Sequence, residues 1–165
     1  HASYHSTWYI PAVRELVARS DFKDDPKWVA ARLLPPIKPA EAKAAIDILL
    51  ELGLIRPDET GSLRQSEPTV TTGPEMHSLH IANYHRAMMQ KAAASIDLIA
   101  SERRDISAVT LLVGAGGLSR VKQRIQRFRR ELLELAIAEK QPTQVVQVNF
   151  QMFPLSTAAD EENGT

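Results

Sequence analysis

The chain contains no cysteine, which excludes a disulfide framework, a thiol nucleophile and a thiolate-bound zinc site. It carries no net charge, because 20 basic side chains face 20 acidic ones. That balance argues against a protein that coats nucleic acid by charge alone. No apolar run approaches the ~20 residues a membrane span needs, and no signal-peptide pattern opens the chain. The expectation from these absences is a soluble, cytoplasmic protein with no membrane partner. The sequence does hold 165 residues, 44% of them hydrophobic. That is enough for a core, in one domain or in two small ones.

Sequence patterns divide the chain near residue 74. Residues 1–74 read as three helices and a hairpin. Val13, Leu16 and Val17 space a buried stripe along a helix from Tyr9 to Arg19. Asp25-Pro26 is a helix start, an N-cap acid followed by proline at the first helical position. The second helix carries Trp28, Val29 and Leu33, and Pro35-Pro36 stops it. The third opens at Pro39 and runs to Leu52, with Gly53 as its C-cap. Leu54-Ile55 begins a strand, Asp58-Glu59-Thr60-Gly61 is a turn, and Leu63 begins the return. Helix-turn-helix-strand-turn-strand in that order is the winged-helix pattern.

Residues 75–155 read as a helix plus a βαβ unit for regulation or dimerisation. A long helix from Glu75 to Ser101 places Ile81, His85, Met88, Ala92, Ile96 and Ile99 on one face. Ile106 to Val113 reads as a strand, and Gly114, Gly116 and Gly117 form a turn. Leu118 to Lys140 reads as a helix, with Val121, Ile125, Phe128, Leu132 and Leu135 as its apolar stripe. The stretch "QVVQVNFQMF" from Gln144 to Phe153 alternates cleanly as a strand, with Val146, Val148, Phe150 and Met152 on one side. Two strands make a poor sheet, so extra strands are needed from the wing or from a second copy. A homodimer is therefore expected. Residues 156–165 read as a disordered tail. The fold class expected is α+β and helix-rich: a winged helix-turn-helix, then a long helix and a βαβ unit.

Several segments, among them "LLELGLIRPDETGSLRQSEPTVTTG", "IANYHRAMM", "ERRDISAVTLLV" and "VVQVNFQMFPL", resemble one family. It is the group of uncharacterised bacterial proteins named for a paralogous expansion in Fibrobacter. The resemblance runs from about Tyr4 to Leu155. Tyr84-His85, Arg104-Asp105-Ile106-Ser107, Phe128-Arg129-Arg130-Glu131-Leu132 and Phe153-Pro154-Leu155 carry it together. Leu112 to Leu118 departs from the family pattern in being unusually glycine-rich. The resemblance implies a transcriptional regulator whose further helix-turn-helix region lies N-terminal to this domain. It supplies no catalytic residues.

The candidate sites follow from charge and chemistry. A DNA-reading role would fall to Lys38, Lys43, Arg56 and Arg64. The third helix, however, sets Lys43 against Glu41, Asp47 and Glu51, a net of minus two, and direct contact is the weaker expectation. DNA is reached either directly or through a further N-terminal domain. Arg120, Arg124 and Arg127 form a basic patch on the one strongly basic helix, which is net plus four from Arg120 to Lys140. Its bland reading is a solvated face with i,i+4 ion pairs. "LLVGAGGLSRVKQR" has the outline of a phosphate loop, but Ser119 stands where a dinucleotide fingerprint needs its third glycine. No cofactor is expected. His77 and His80 lack a further ligand nearby in sequence, so no metal is expected either. Trp8, Tyr84, His85 and Met88 are candidates for a ligand pocket between the two parts, and His85 is expected in a core or an interface. No nucleophile elbow or spaced acid pair is present, so the chain is not expected to be an enzyme. Two alternatives stand beside the regulator: a protein-interaction module that binds no nucleic acid, and a small-molecule sensor.

Overall fold

A computed structural model describes residues 7–66 and 74–159, with side chains in the long helix described from Ile81 onward. Its compact units are two. One comprises residues 1–106 and 140–147, the other 107–139 and 148–165.

In the first unit, α1 spans Tyr9–Leu16. It stops short of the expected Arg19, and its last turn closes through the Arg19 amide on the Leu16 carbonyl. Helix α2 spans Pro26–Arg32, and the Asp25 carboxylate accepts from the Lys27 amide at 3.0 Å. The chain leaves the helix at Leu33, at ψ +157°, two residues ahead of Pro35 and Pro36, which cannot extend it. Helix α3 spans Pro39–Glu51. Glu41 reaches back to the Lys38 amide at 3.0 Å, satisfying a donor the helix start leaves open. Gly53 then turns the chain at φ +71°, where an L side chain is strained, and the Leu54 amide bonds the Leu49 carbonyl.

The hairpin follows. Strands β1 (Ile55–Pro57) and β2 (Leu63–Gln65) pair antiparallel, with Ile55 opposite Gln65, Arg56 opposite Arg64 and Pro57 opposite Leu63. Ile55 and Leu63 point into the core and their neighbours point outward, as strand alternation requires. The core is aliphatic. Ile10, Val13 and Leu16 of α1 meet Val29 of α2, Ala45 and Leu49 of α3, and Ile55 of β1, all buried. Trp28 closes its rim under the guanidinium groups of Arg32 and Arg19, 4.6 and 5.5 Å from its ring centre.

Helix α4 spans Pro74–Leu98, and a 3-10 turn follows at Ser101–Arg103. Its expected apolar face is only partly realised: Met88 is buried, but His85 is exposed and Ile96 half exposed. The expected boundary at residue 74 abuts residues 67–73, which lie outside the described ones, as do 160–165 of the expected tail.

In the second unit, helix α5 spans Gly117–Ile137, shorter at its C-terminal end than the sequence suggests. The expected βαβ unit does not form. Among the described residues, 106–113 and 145–152 belong to no strand, and the hairpin is the whole sheet. A strand exists only through a ladder partner, and sequence alternation cannot supply one. The apolar stripe of α5 is likewise uncovered in part: Phe128 is 50% exposed and Leu135 is 72% exposed. The coarse class therefore stands as helix-rich α+β.

Candidate functional site

The structure brings two of the four candidate DNA-contacting residues together. Arg56 and Arg64 are direct cross-strand partners, so their side chains leave the same face of the hairpin. Placing two like charges there is tolerable because Asp58, in the turn between them, pairs with Arg64 at 3.0 Å. Asp58 organises that turn. Its Oδ1 accepts from the Thr60 amide at 2.9 Å, the Thr60 hydroxyl at 2.6 Å and the Ser62 amide at 3.1 Å. These bonds, led by the Thr60 hydroxyl, lower its pKa to about 2.

Lys38 and Lys43 belong to the start and the exposed face of α3. Lys43 is bound to Asp47 at 2.8 Å, and Lys38 gives its backbone to the helix cap. Both ammonium groups face solvent.

The hairpin is held to α1 by a residue that periodicity does not single out. Arg14 donates from Nε to the Leu54 carbonyl at 3.3 Å and from Nη2 to the Ser66 carbonyl at 3.0 Å. Gln65 returns a bond to the Arg14 carbonyl at 2.7 Å. An arginine inside a helical stripe reads as a solvated face in sequence. Only the fold puts the Leu54 and Ser66 carbonyls in its reach.

Tyr84, His85 and Met88 follow one another along α4, and Trp8 meets the same helix at Lys91. Lys91 stands over the Trp8 ring, its Nζ 3.5 Å from the centre, and Tyr9 meets the ring edge-on. Burial lowers the Lys91 pKa. Tyr84 is raised by burial, against a hydrogen bond from Gln147 that works the other way. Tyr9 is also raised, first by burial and then by its hydrogen-bonded neighbour Glu41. Met88 is buried, whereas His85 is exposed and touches the Tyr84 ring edge-on, which corrects its expected place in a core. The side chains of His77 and His80 lie outside the described residues. Among the described residues no group of three His, Asp or Glu side chains could hold a metal.

The basic patch lies on α5. Arg127 pairs with Glu131 at 3.5 Å, as the i,i+4 spacing suggests. Arg120 and Arg124 border an open groove of about 590 Å³, whose floor is apolar: Leu111, Val113, Val121, Ile125 and Phe128. The glycine turn opens α5 for a steric reason. Gly116 sits at φ +73°, and a Cβ on Gly117 would lie 2.5 Å from the Val113 Cβ. The turn lets 106–113 run back against the helix.

Among the described residues no helix is long and apolar enough to cross a membrane. Fold and site together define a helix-rich α+β chain that couples a three-helix-and-hairpin unit to a basic amphipathic helix. The chain belongs to the family described as "Domain of unknown function (DUF4423)", whose model matches residues 1–155. No curated protein and no solved structure matches it.

Proposed function

We propose that this chain is the regulatory and dimerising part of a bacterial transcriptional regulator, and that its first unit is a winged helix contacting DNA through the hairpin. The resemblance to the paralogous Fibrobacter family points the same way. The observation that carries the reading is the placement of Arg56 and Arg64 side by side on a hairpin that Arg14 of α1 bonds at two carbonyls. A wing of this kind tracks a phosphate backbone, and the guanidinium groups supply the charge.

The footprint is small. Arg64 and Lys43 already carry carboxylate partners, so affinity is weak and non-specific for one copy and useful when two copies are paired. Dimerisation would then set the spacing of two DNA-reading surfaces.

The test is fluorescence anisotropy of the chain with a labelled duplex at two salt concentrations. Binding that collapses as salt rises supports the reading. Arg56→Ala with Arg64→Ala should reduce the salt slope by about 2, since each phosphate contact contributes about 0.9. Absence of binding at low salt overturns direct contact.

A second reading, a protein-interaction module without nucleic acid, draws on the exposed apolar side chains of the second unit, from Val109 to Leu155. It predicts no response to duplex at any salt.

A further inference from the structure

The second unit has almost no interior. Among its described residues no hydrophobic side chain is buried, and the one buried position is Gly117. Among the described residues all but one of the buried hydrophobic side chains lie between Ile10 and Leu63, the exception being Met88. Yet the second unit's segments contact one another. Leu111 to Val113 line one groove with Val121, Ile125 and Phe128 of α5, and Val113 closes on Gly117 across the turn. Segment 145–152 touches the same helix where the Phe150 ring meets Phe128 edge-on, centroids 6.0 Å apart. A helix flanked by two extended segments buries too little to hold such an arrangement alone.

What is exposed has the composition of a core. Val109, Leu111, Leu112, Leu133, Leu135 and Ile137 are all more than half exposed, and Leu112 is fully so. Phe128, Val148, Phe153 and Leu155 are also half exposed or more, so the apolar stripe of α5 and both extended segments lack a cover.

The extended segments add a backbone argument. Free edges in natural sheets are blunted by lysine, proline or inward charges. Neither "ISAVTLLV" (106–113) nor "VVQVNFQM" (145–152) contains a charge or a proline. Both have the composition of interior strands, rich in β-branched residues and leucine, and neither is part of a strand among the described residues, while Val145 packs against the first unit's core and Gln147 bonds Tyr84.

We infer that this unit is half of an interlocked homodimer, in which segments 106–113 and 145–152 of two copies form one intermolecular β-sheet covered by the two α5 helices. The occupant is a second copy for three reasons. The uncovered apolar side chains run along one helix face and two extended segments, which a second copy presents in kind. The uncharged segments pair without charge conflict about a two-fold axis, where the same patch must meet itself. The covering helix keeps Arg120, Arg124 and Arg127 at the margins of its apolar stripe, where they stay solvated. The inference deepens the pairing role proposed above and rests on it, and it is independent of whether the hairpin touches DNA.

The experiment combines light scattering with amide hydrogen exchange on the full chain. A dimer is expected at micromolar concentration, with amides of 106–113 and 145–152 protected there and exchanging at least tenfold faster on dilution to the monomer. Val148→Pro removes a ladder donor and should weaken dimerisation at least tenfold. Trp8 and Trp28 both lie in the first unit, so an unchanged tryptophan near-ultraviolet signal shows that this variant still folds there. A wild-type monomer at high concentration overturns both the pairing role and the sheet. A dimer whose two segments exchange freely, or that Val148→Pro leaves intact, overturns the sheet and leaves pairing standing.

Discussion

Asp58 accepts three hydrogen bonds on one oxygen and holds Arg64 with the other, all within the seven residues from Asp58 to Arg64. Each of these partners favours the ionised carboxylate, which is why it titrates near 2 and not at its ordinary 3.8. The sign of the consequence follows from linkage. A carboxyl depressed in the folded state stabilises that state above its unfolded pKa, and the contribution is lost as pH falls through the folded value. The hairpin should therefore loosen between about pH 4 and pH 2. Titration of the carboxyl carbons by NMR should show Asp58 as the most acidic of the hairpin carboxyls. Asp58→Asn keeps an acceptor for the turn but forfeits the ion pair, so its hairpin amides should show less pH dependence over that window. A wild-type carboxyl titrating near 4 would refute the network.

At the scale of elements, the punctuation was legible. Asp25-Pro26, Pro39 and Gly53 fixed three boundaries, because each residue has a local physical effect that neighbours cannot cancel: a cap, a preset φ, a left-handed turn. Periodicity was less reliable where covering partners were absent. The stripe of α5 is present in sequence, yet Phe128 and Leu135 stay exposed in the single chain. The glycine turn divides in the same way. Gly114 has open space around its missing Cβ, whereas at Gly117 that space belongs to Val113. Gly117→Ala should lower stability by about 1–3 kcal/mol, as overpacking does, while Gly114→Ala should be close to neutral or slightly stabilising. Chemical denaturation followed by far-ultraviolet circular dichroism distinguishes them. Equal effects would mean that 106–113 does not pack on α5.

At the scale of the whole molecule, stability is concentrated in the first unit. Its helices meet through small and branched residues such as Ala42, Ala45, Val13 and Val29, which allow close approach. Arg14 then fastens the hairpin to that core through two carbonyls. Its side chain is 21% exposed, so these charge-assisted bonds are only partly screened. Arg14→Ala should destabilise the unit by about 1–3 kcal/mol, or roughly 4–8 °C in Tm for each kcal/mol. Thermal melting of the tryptophan signal measures it, and an unchanged Tm would mean that the hairpin holds itself in place.

The sequence by itself determined the helices and the hairpin of the first unit, its turn residues and most of its core. Each of these rests on contacts between neighbours or on a period within one element, which a linear chain records directly. The tertiary structure decided that Arg56 and Arg64 stand side by side, that Arg14 bridges α1 to the hairpin, and that His85 faces outward. It also decided that 106–113 and 145–152 find no ladder within the described chain. Register, reach and strand pairing join residues far apart in sequence. Alternation can announce a strand's readiness to pair, but the presence of a partner is a property of space.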